Sequence, residues 1–110
     1  MNFGEALVAV KAGKKIRREG WNGKGMWVAY TPRSVIGAFA APVDGPLHVA
    51  AHVRGAAHCL AVELLHNNTA SDGTIRIGGH LDMKAADGSL VIGWLASQTD
   101  MLADDWEIAP

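Results

Sequence analysis

The chain has 110 residues, about half of them apolar, a size that suits one domain and leaves little room for two. A formal net charge of −1 argues against nucleic-acid polymers and membrane surfaces as partners, because both need clustered cations. The single cysteine, Cys59, rules out an intrachain disulfide and suits a reducing compartment.

In chain order, the first element is a helix. Asn2 can cap it and Glu5 stands three residues on, as in a capping box. Phe3, Ala6, Leu7 and Val10 form one apolar stripe, and Gly13 is placed to end the helix. Residues 15–18 read as a short strand, and Glu19-Gly20 turns the chain into Trp21. Asn22-Gly23 is a tight-turn dipeptide, because both residues accept positive φ. Residues 26–31 read as a strand that Pro32 ends.

The middle third is less patterned. Residues 35–41 and 47–53 read as strands around a turn at 42–46. Residues 56–66 fit a strand or a short helix, and the alternation of Leu60, Val62 and Leu64 favours the strand. A polar loop over 67–73 follows. Ile75 and Ile77 alternate with Arg76, and Leu81, Met83 and Ala85 alternate with Asp82 and Lys84. Asp72-Gly73 and Asp87-Gly88 both read as hairpin turns, the second leading into residues 89–92. Ser97 or Thr99 can cap a helical turn through Leu102, and residues 106–108 form a last strand. The sum is α+β: one N-terminal helix on a mostly antiparallel sheet, in a single small domain.

Two stretches carry more chemistry than a fold requires. In Trp21-Asn22-Gly23-Lys24-Gly25 the glycines let backbone N–H groups approach a ligand, Lys24 can meet a phosphate and Trp21 can stack on a base. The Gly-Lys-Ser/Thr ending of a P-loop is absent. The structural alternative is a glycine-rich hairpin with a core tryptophan. In Ser97-Gln98-Thr99-Asp100 a hydroxyl pair, an amide and a carboxylate suit ribose hydroxyls and base edges. The structural alternative is a capped turn that satisfies its own backbone. Trp94 and Trp106 read as anchors for that turn.

The remaining candidates are weaker. His48 and His52 stand four apart, a ligand pair only on a helix, and their surroundings favour a strand. Cys59 lies in an apolar flank that suggests burial and not an activated thiolate. The basic run Lys11, Lys14, Lys15, Arg17 and Arg18 reads as largely solvated, with room for one or two cations to turn inward. No nucleophile–base or metal constellation is legible, so no cofactor is expected.

Residues 1–7, 13–27 and 81–106 resemble the small phage and prophage proteins of the second Thoeris anti-defence family. The resemblance covers about the first and last thirty residues; the middle, 33–80, matches no pattern and is treated as a variable region. It implies a homotetrameric sponge that binds a cyclic ADP-ribose-type immune signal at subunit interfaces without cleaving it. The family also includes members that hold cyclic oligonucleotides. Under this reading Trp21 stacks, Asn22, Gly23, Lys24 and Gly25 make polar and phosphate contacts, and Ser97, Gln98, Thr99 and Asp100 meet ribose or base edges. A competing reading is an enzyme that hydrolyses or modifies a nucleotide signal, using Asp100 or Asp104 with a histidine. A third is a phage structural module. The opening residues lack the layout of a signal peptide and no apolar run reaches the length of a bilayer span, so the expected setting is the cytoplasm of an infected bacterium.

Overall fold

The computed structural model describes residues 1–40, 45–67 and 73–110. Its elements are α1 (Phe3–Lys11), β1 (Ile16–Arg18), a 3₁₀ turn (Glu19–Trp21), β2 (Trp27–Thr31), β3 (Ser34–Gly37), β4 (Phe39–Ala40), β5 (His48–Val49), α2 (Gly55–His66), β6 (Thr74–Ile77), β7 (His80–Lys84), β8 (Leu90–Val91), α3 (Gln98–Met101) and β9 (Trp106–Ile108). The chain divides into two compact units. One comprises Met1–Pro32 with Gly79–Pro110, and the other Arg33–Gly78.

The first unit is the α+β body expected from the sequence. Five strands in the order β8-β7-β2-β1-β9 pair antiparallel throughout. α1 starts in the expected capping box: Asn2 Oδ1 accepts from Glu5 N, and Glu5 Oε1 from Asn2 N. Its end is a Schellman motif, with Gly13 N bonded to Val10 O, Lys14 N bonded to Ala9 O, and Gly13 at φ 98°. The helix lays Ala6 and Val10 on Ile16, Val28 and Met83 of the sheet, and Trp106 closes this core. Each fully buried Val or Ile contributes about 1.5–3 kcal/mol.

One polar residue is buried in this unit. Asp82 on β7 accepts hydrogen bonds from Thr31 Oγ1, from Gly93 N at 2.9 Å, and from the His80 ring at 2.8 Å. Burial pushes its carboxyl up, but the hydrogen bonds from Thr31, Gly93 and His80 together hold it below the usual carboxylate range. Asp82 therefore fastens the end of β2, the start of β7 and the chain beyond β8 to one point. The Asp87-Gly88 turn joins β7 to β8 as expected, with Gly88 N bonded to Ala85 O.

The second unit corrects several expectations. Residues 55–66 form a helix, not a strand. Ala57, Ala61 and Leu64, spaced four and three apart, face its core, while Leu60 and Val62 are exposed. The alternation that favoured a strand came from the wrong side chains, because the buried stripe is made largely of alanine. The same helix leaves Cys59 exposed rather than buried.

The strand expected over 35–41 breaks at the buried Ala38 into β3, which pairs with β6, and β4, which pairs with β5. The strand expected over 47–53 shortens to His48–Val49. β6 follows α2 and pairs with β3, so Gly73 does not link consecutive paired strands; its partner Asp72 lies outside the described residues. Most of the turn expected at 42–46 and of the loop expected at 67–73 also lies outside them.

Candidate functional site

Three left-handed residues shape the loop after the 3₁₀ turn: Asn22 at φ 58°, Gly23 at φ 66° and Gly25 at φ 71°. Asn22 is the non-glycine residue that tolerates this conformation best, which is why the Asn-Gly pair reads correctly from sequence. The loop curls beside the end of β1 and leaves a groove of about 170 Å³. Trp21, Gly23, Lys24 and Gly25 line it, together with Arg17, Arg18, Glu19, Met26 and Glu107. Asn22 is exposed and is not part of that lining.

The loop is anchored by carboxylates from the far end of the chain. Arg18 Nε donates to Asp105 Oδ1 at 2.8 Å, and Arg18 Nη1 donates to Asp100 Oδ1 at 2.9 Å. The other Asp105 oxygen accepts from Gly20 N at 2.8 Å, and Glu19 N donates to Asp105 O. A Cβ on Gly20 would stand 2.9 Å from that carboxylate oxygen, so the close approach requires glycine. The Arg18 hydrogen bond holds the Asp105 carboxyl below the usual range, and the Asp105 and Asp100 hydrogen bonds raise Arg18 in turn. One member of the basic run does turn inward, but towards carboxylates.

Trp21 is half-buried and belongs to an aromatic cluster. Its ring centroid lies 5.3 Å from Trp106 and 6.4 Å from Trp94, with planes at 79° and 81°. Trp94 and Trp106 are 6.3 Å apart, and the Trp106 indole N–H donates to Asp100 O at 2.8 Å. Two near-perpendicular neighbours therefore fix the plane of Trp21, and the residue serves both core and groove.

The second stretch divides. Ser97 Oγ accepts from Asp100 N at 3.1 Å and so caps α3, as one of the two expected candidates. The Asp100 side chain is 15% exposed and holds Arg18. Gln98 and Thr99 are exposed. None of residues 97–100 lines the groove, although Arg18 and Trp106 tie this stretch to the Trp21 loop.

Sequence reasoning missed Glu19, Met26 and Glu107 as lining residues. Glu107 stands directly opposite Arg17 across the β1–β9 pair, and Arg17 Nε donates to its Oε1 at 2.8 Å. That pairing was readable only once the first and last strands were known to be neighbours. Among the described residues no three His, Cys, Asp or Glu side chains are grouped to hold a metal ion. His48 lies on β5 and bonds to Pro46 O, and His52 bonds to Gly37 O. No helix of the described residues is long and apolar enough to cross a membrane.

The family model for the Thoeris anti-defense 2-like domain matches residues 1–109, and so spans both compact units. The chain is 27% identical over 113 residues to Thoeris anti-defense 2 of Bacillus phage SP01, with 98% of this chain and 93% of the relative covered. The chain therefore belongs to the Thoeris anti-defense 2-like family.

Proposed function

We propose that the protein acts in anti-defence by sequestering a cyclic ADP-ribose-type nucleotide signal, holding it without cleavage so that it cannot activate an immune effector. Family membership supports the anti-defence role. The observation that carries the binding mode is the groove beside Trp21. An indole of fixed plane, two glycines in left-handed turns and the side chain of Lys24 surround one small space. Such a ligand needs those three elements: a stacking surface, backbone donors and a cation for its pyrophosphate.

At about 170 Å³ the groove of one chain is smaller than the roughly 300–1,000 Å³ typical of ligand pockets. A second copy completing the wall, as in a homotetramer, would enclose the signal, and Gln98 and Thr99 of that copy are available for ribose or base edges. Enclosure favours slow release, which sequestration requires; nanomolar affinity corresponds to about −12 kcal/mol. Cyclic oligonucleotides share the same stacking and phosphate chemistry and belong to the same ligand class. The site of action under this reading is the cytoplasm of the infected host.

The test is to incubate the protein with the cyclic signal, denature it and identify what is released. Intact ligand in stoichiometric amount is expected. A cleaved product would instead assign an enzyme, and the absence of any retained nucleotide would favour a structural module.

A further inference from the structure

The face of the five-stranded sheet opposite α1 carries a row of side chains that the groove alone does not account for. Because side chains alternate along a strand, the register Ile16↔Val28 puts Lys15 and Arg17 on the same face as Trp27 and Ala29. Trp27 in turn pairs with Lys84 on β7, and Arg17 with Glu107 on β9. Trp27 is thus flanked by Arg17 on one strand and Lys84 on the other, while Lys15 Nζ sits 5.5 Å from its ring centroid. Lys15, Trp27 and Lys84 are half-buried, and the Arg17 side chain is 38% exposed.

This row runs into the groove. Arg17 lines both, and a Cβ on Gly25 would stand 3.7 Å from Lys84 Nζ. Among the described residues, Lys15, Lys24 and Lys84 form no ion pair. Two carboxylates share the face. Glu107 is engaged by Arg17, and Asp82, opposite Ala29, is engaged by Thr31, His80 and Gly93. Two lysines beside an indole therefore keep uncompensated charge in a chain whose net charge is −1.

We infer that Lys15, Arg17 and Lys84 around Trp27 form an anion subsite continuous with the groove, which takes the phosphates of a nucleotide whose base lies at Trp21. The subsite selects a pyrophosphate or paired phosphodiesters over a neutral nucleoside, because two cations on opposite sides of one ring match two separated negative charges. The Arg17–Glu107 pair is exposed enough to exchange: an anion bound between Arg17 and Lys84 replaces Glu107 as the partner of Arg17. The identity of the nucleotide rests on the sequestration reading; the anion subsite itself does not.

The experiment is calorimetric titration of the full chain with two probes, inorganic pyrophosphate and cyclic ADP-ribose, and with a single-stranded oligonucleotide as a comparison, for the wild type, Lys84→Gln and Lys15→Gln. Both substitutions remove the charge and leave an unbranched polar side chain, and thermal unfolding checks that each variant is folded. Each variant should bind both probes roughly three- to tenfold more weakly, with a shallower dependence on salt. Unchanged affinity in both variants overturns the subsite and leaves sequestration standing. Pyrophosphate binding that the variants lose, with no binding of cyclic ADP-ribose, upholds the subsite and removes sequestration of that signal. Failure of the wild type to bind either probe overturns both. Tighter binding of a single-stranded oligonucleotide than of either probe overturns the ligand class.

Discussion

Asp105 holds Arg18 by its Nε at 2.8 Å and, with its other oxygen, holds the amide of Gly20 at 2.8 Å. One carboxylate near the end of the chain thus fixes both the exit of β1 and the turn that delivers Trp21. Its charge is favoured by the Arg18 guanidinium, so its carboxyl lies below the usual range in the folded protein. A depressed carboxyl pKa gives stability that is fully present above the unfolded value, about 3.9, and is lost as pH falls through the folded value. Asp105→Asn should therefore lower the unfolding midpoint at pH 7 and flatten its fall as the pH drops below the unfolded value. Urea unfolding of both proteins from neutral to acid pH checks this; parallel pH profiles would assign the acid dependence to other carboxylates.

Trp21 is a poor residue to truncate when the question is ligand binding. It packs on Trp94 and Trp106, and Trp21→Ala should cost about 2–3 kcal/mol through the cavity it leaves in that cluster. Loss of binding in that variant would not separate a missing stacking surface from a collapsed loop. Trp21→Phe keeps an aromatic body, should cost about 1 kcal/mol, and should weaken binding of the cyclic signal by roughly tenfold through lost stacking area. Calorimetry of that variant with a matched stability measurement checks the stacking role. Unchanged affinity would make Trp21 a core residue only.

Much of this architecture was legible because local chemistry and tertiary context agree. The Asn2–Glu5 capping box, the end of α1 at Gly13, the left-handed Asn22-Gly23 and the Ser97 cap are all settled within a few residues. α2 was not legible for the opposite reason. Its buried face is alanine, which barely registers as apolar, while its exposed face carries Leu60 and Val62 at strand spacing. At the groove, the sequence pointed to Trp21, Gly23, Lys24 and Gly25, named Arg17 only as one of a basic run, and did not point to Glu107 or to Lys84 beside Gly25. Those depend on which strands are neighbours, a property of the whole sheet and of no single segment. The chemistry of Asp100 suits a ligand contact; only the distance to Arg18 reveals that it is engaged within the fold.

Asp82 offers a test of how the strands around β7 are fastened. Asp82→Ala would leave the Thr31 hydroxyl, the His80 ring and the Gly93 amide without their acceptor. Each orphaned polar group costs about 1–3 kcal/mol when it stays buried, and partial rehydration brings the expected total to about 3 kcal/mol. Asp82→Asn keeps an acceptor and should cost less. Equilibrium denaturation with hydrogen exchange checks this, because the loss should be greatest for amides of β8 and the chain that follows. A uniform change across the sheet would mean that Asp82 acts on global stability alone.

Residues 97–100 can be assigned by separating the capping role from binding. Ser97→Ala removes the α3 cap and should cost about 1 kcal/mol of stability, with the affinity of the folded protein for the cyclic signal unchanged. Gln98 is exposed, and its side chain has no part in the Ser97 cap or the Arg18 anchor. Gln98→Ala should change stability by less than about 0.5 kcal/mol and weaken binding roughly three- to tenfold through one lost polar contact. The measurement is again a titration paired with an unfolding curve. If Gln98→Ala and its neighbour Thr99→Ala both bind as tightly as the wild type, residues 97–100 are scaffold throughout, and the ligand is held by the Trp21 loop and the sheet face beside it.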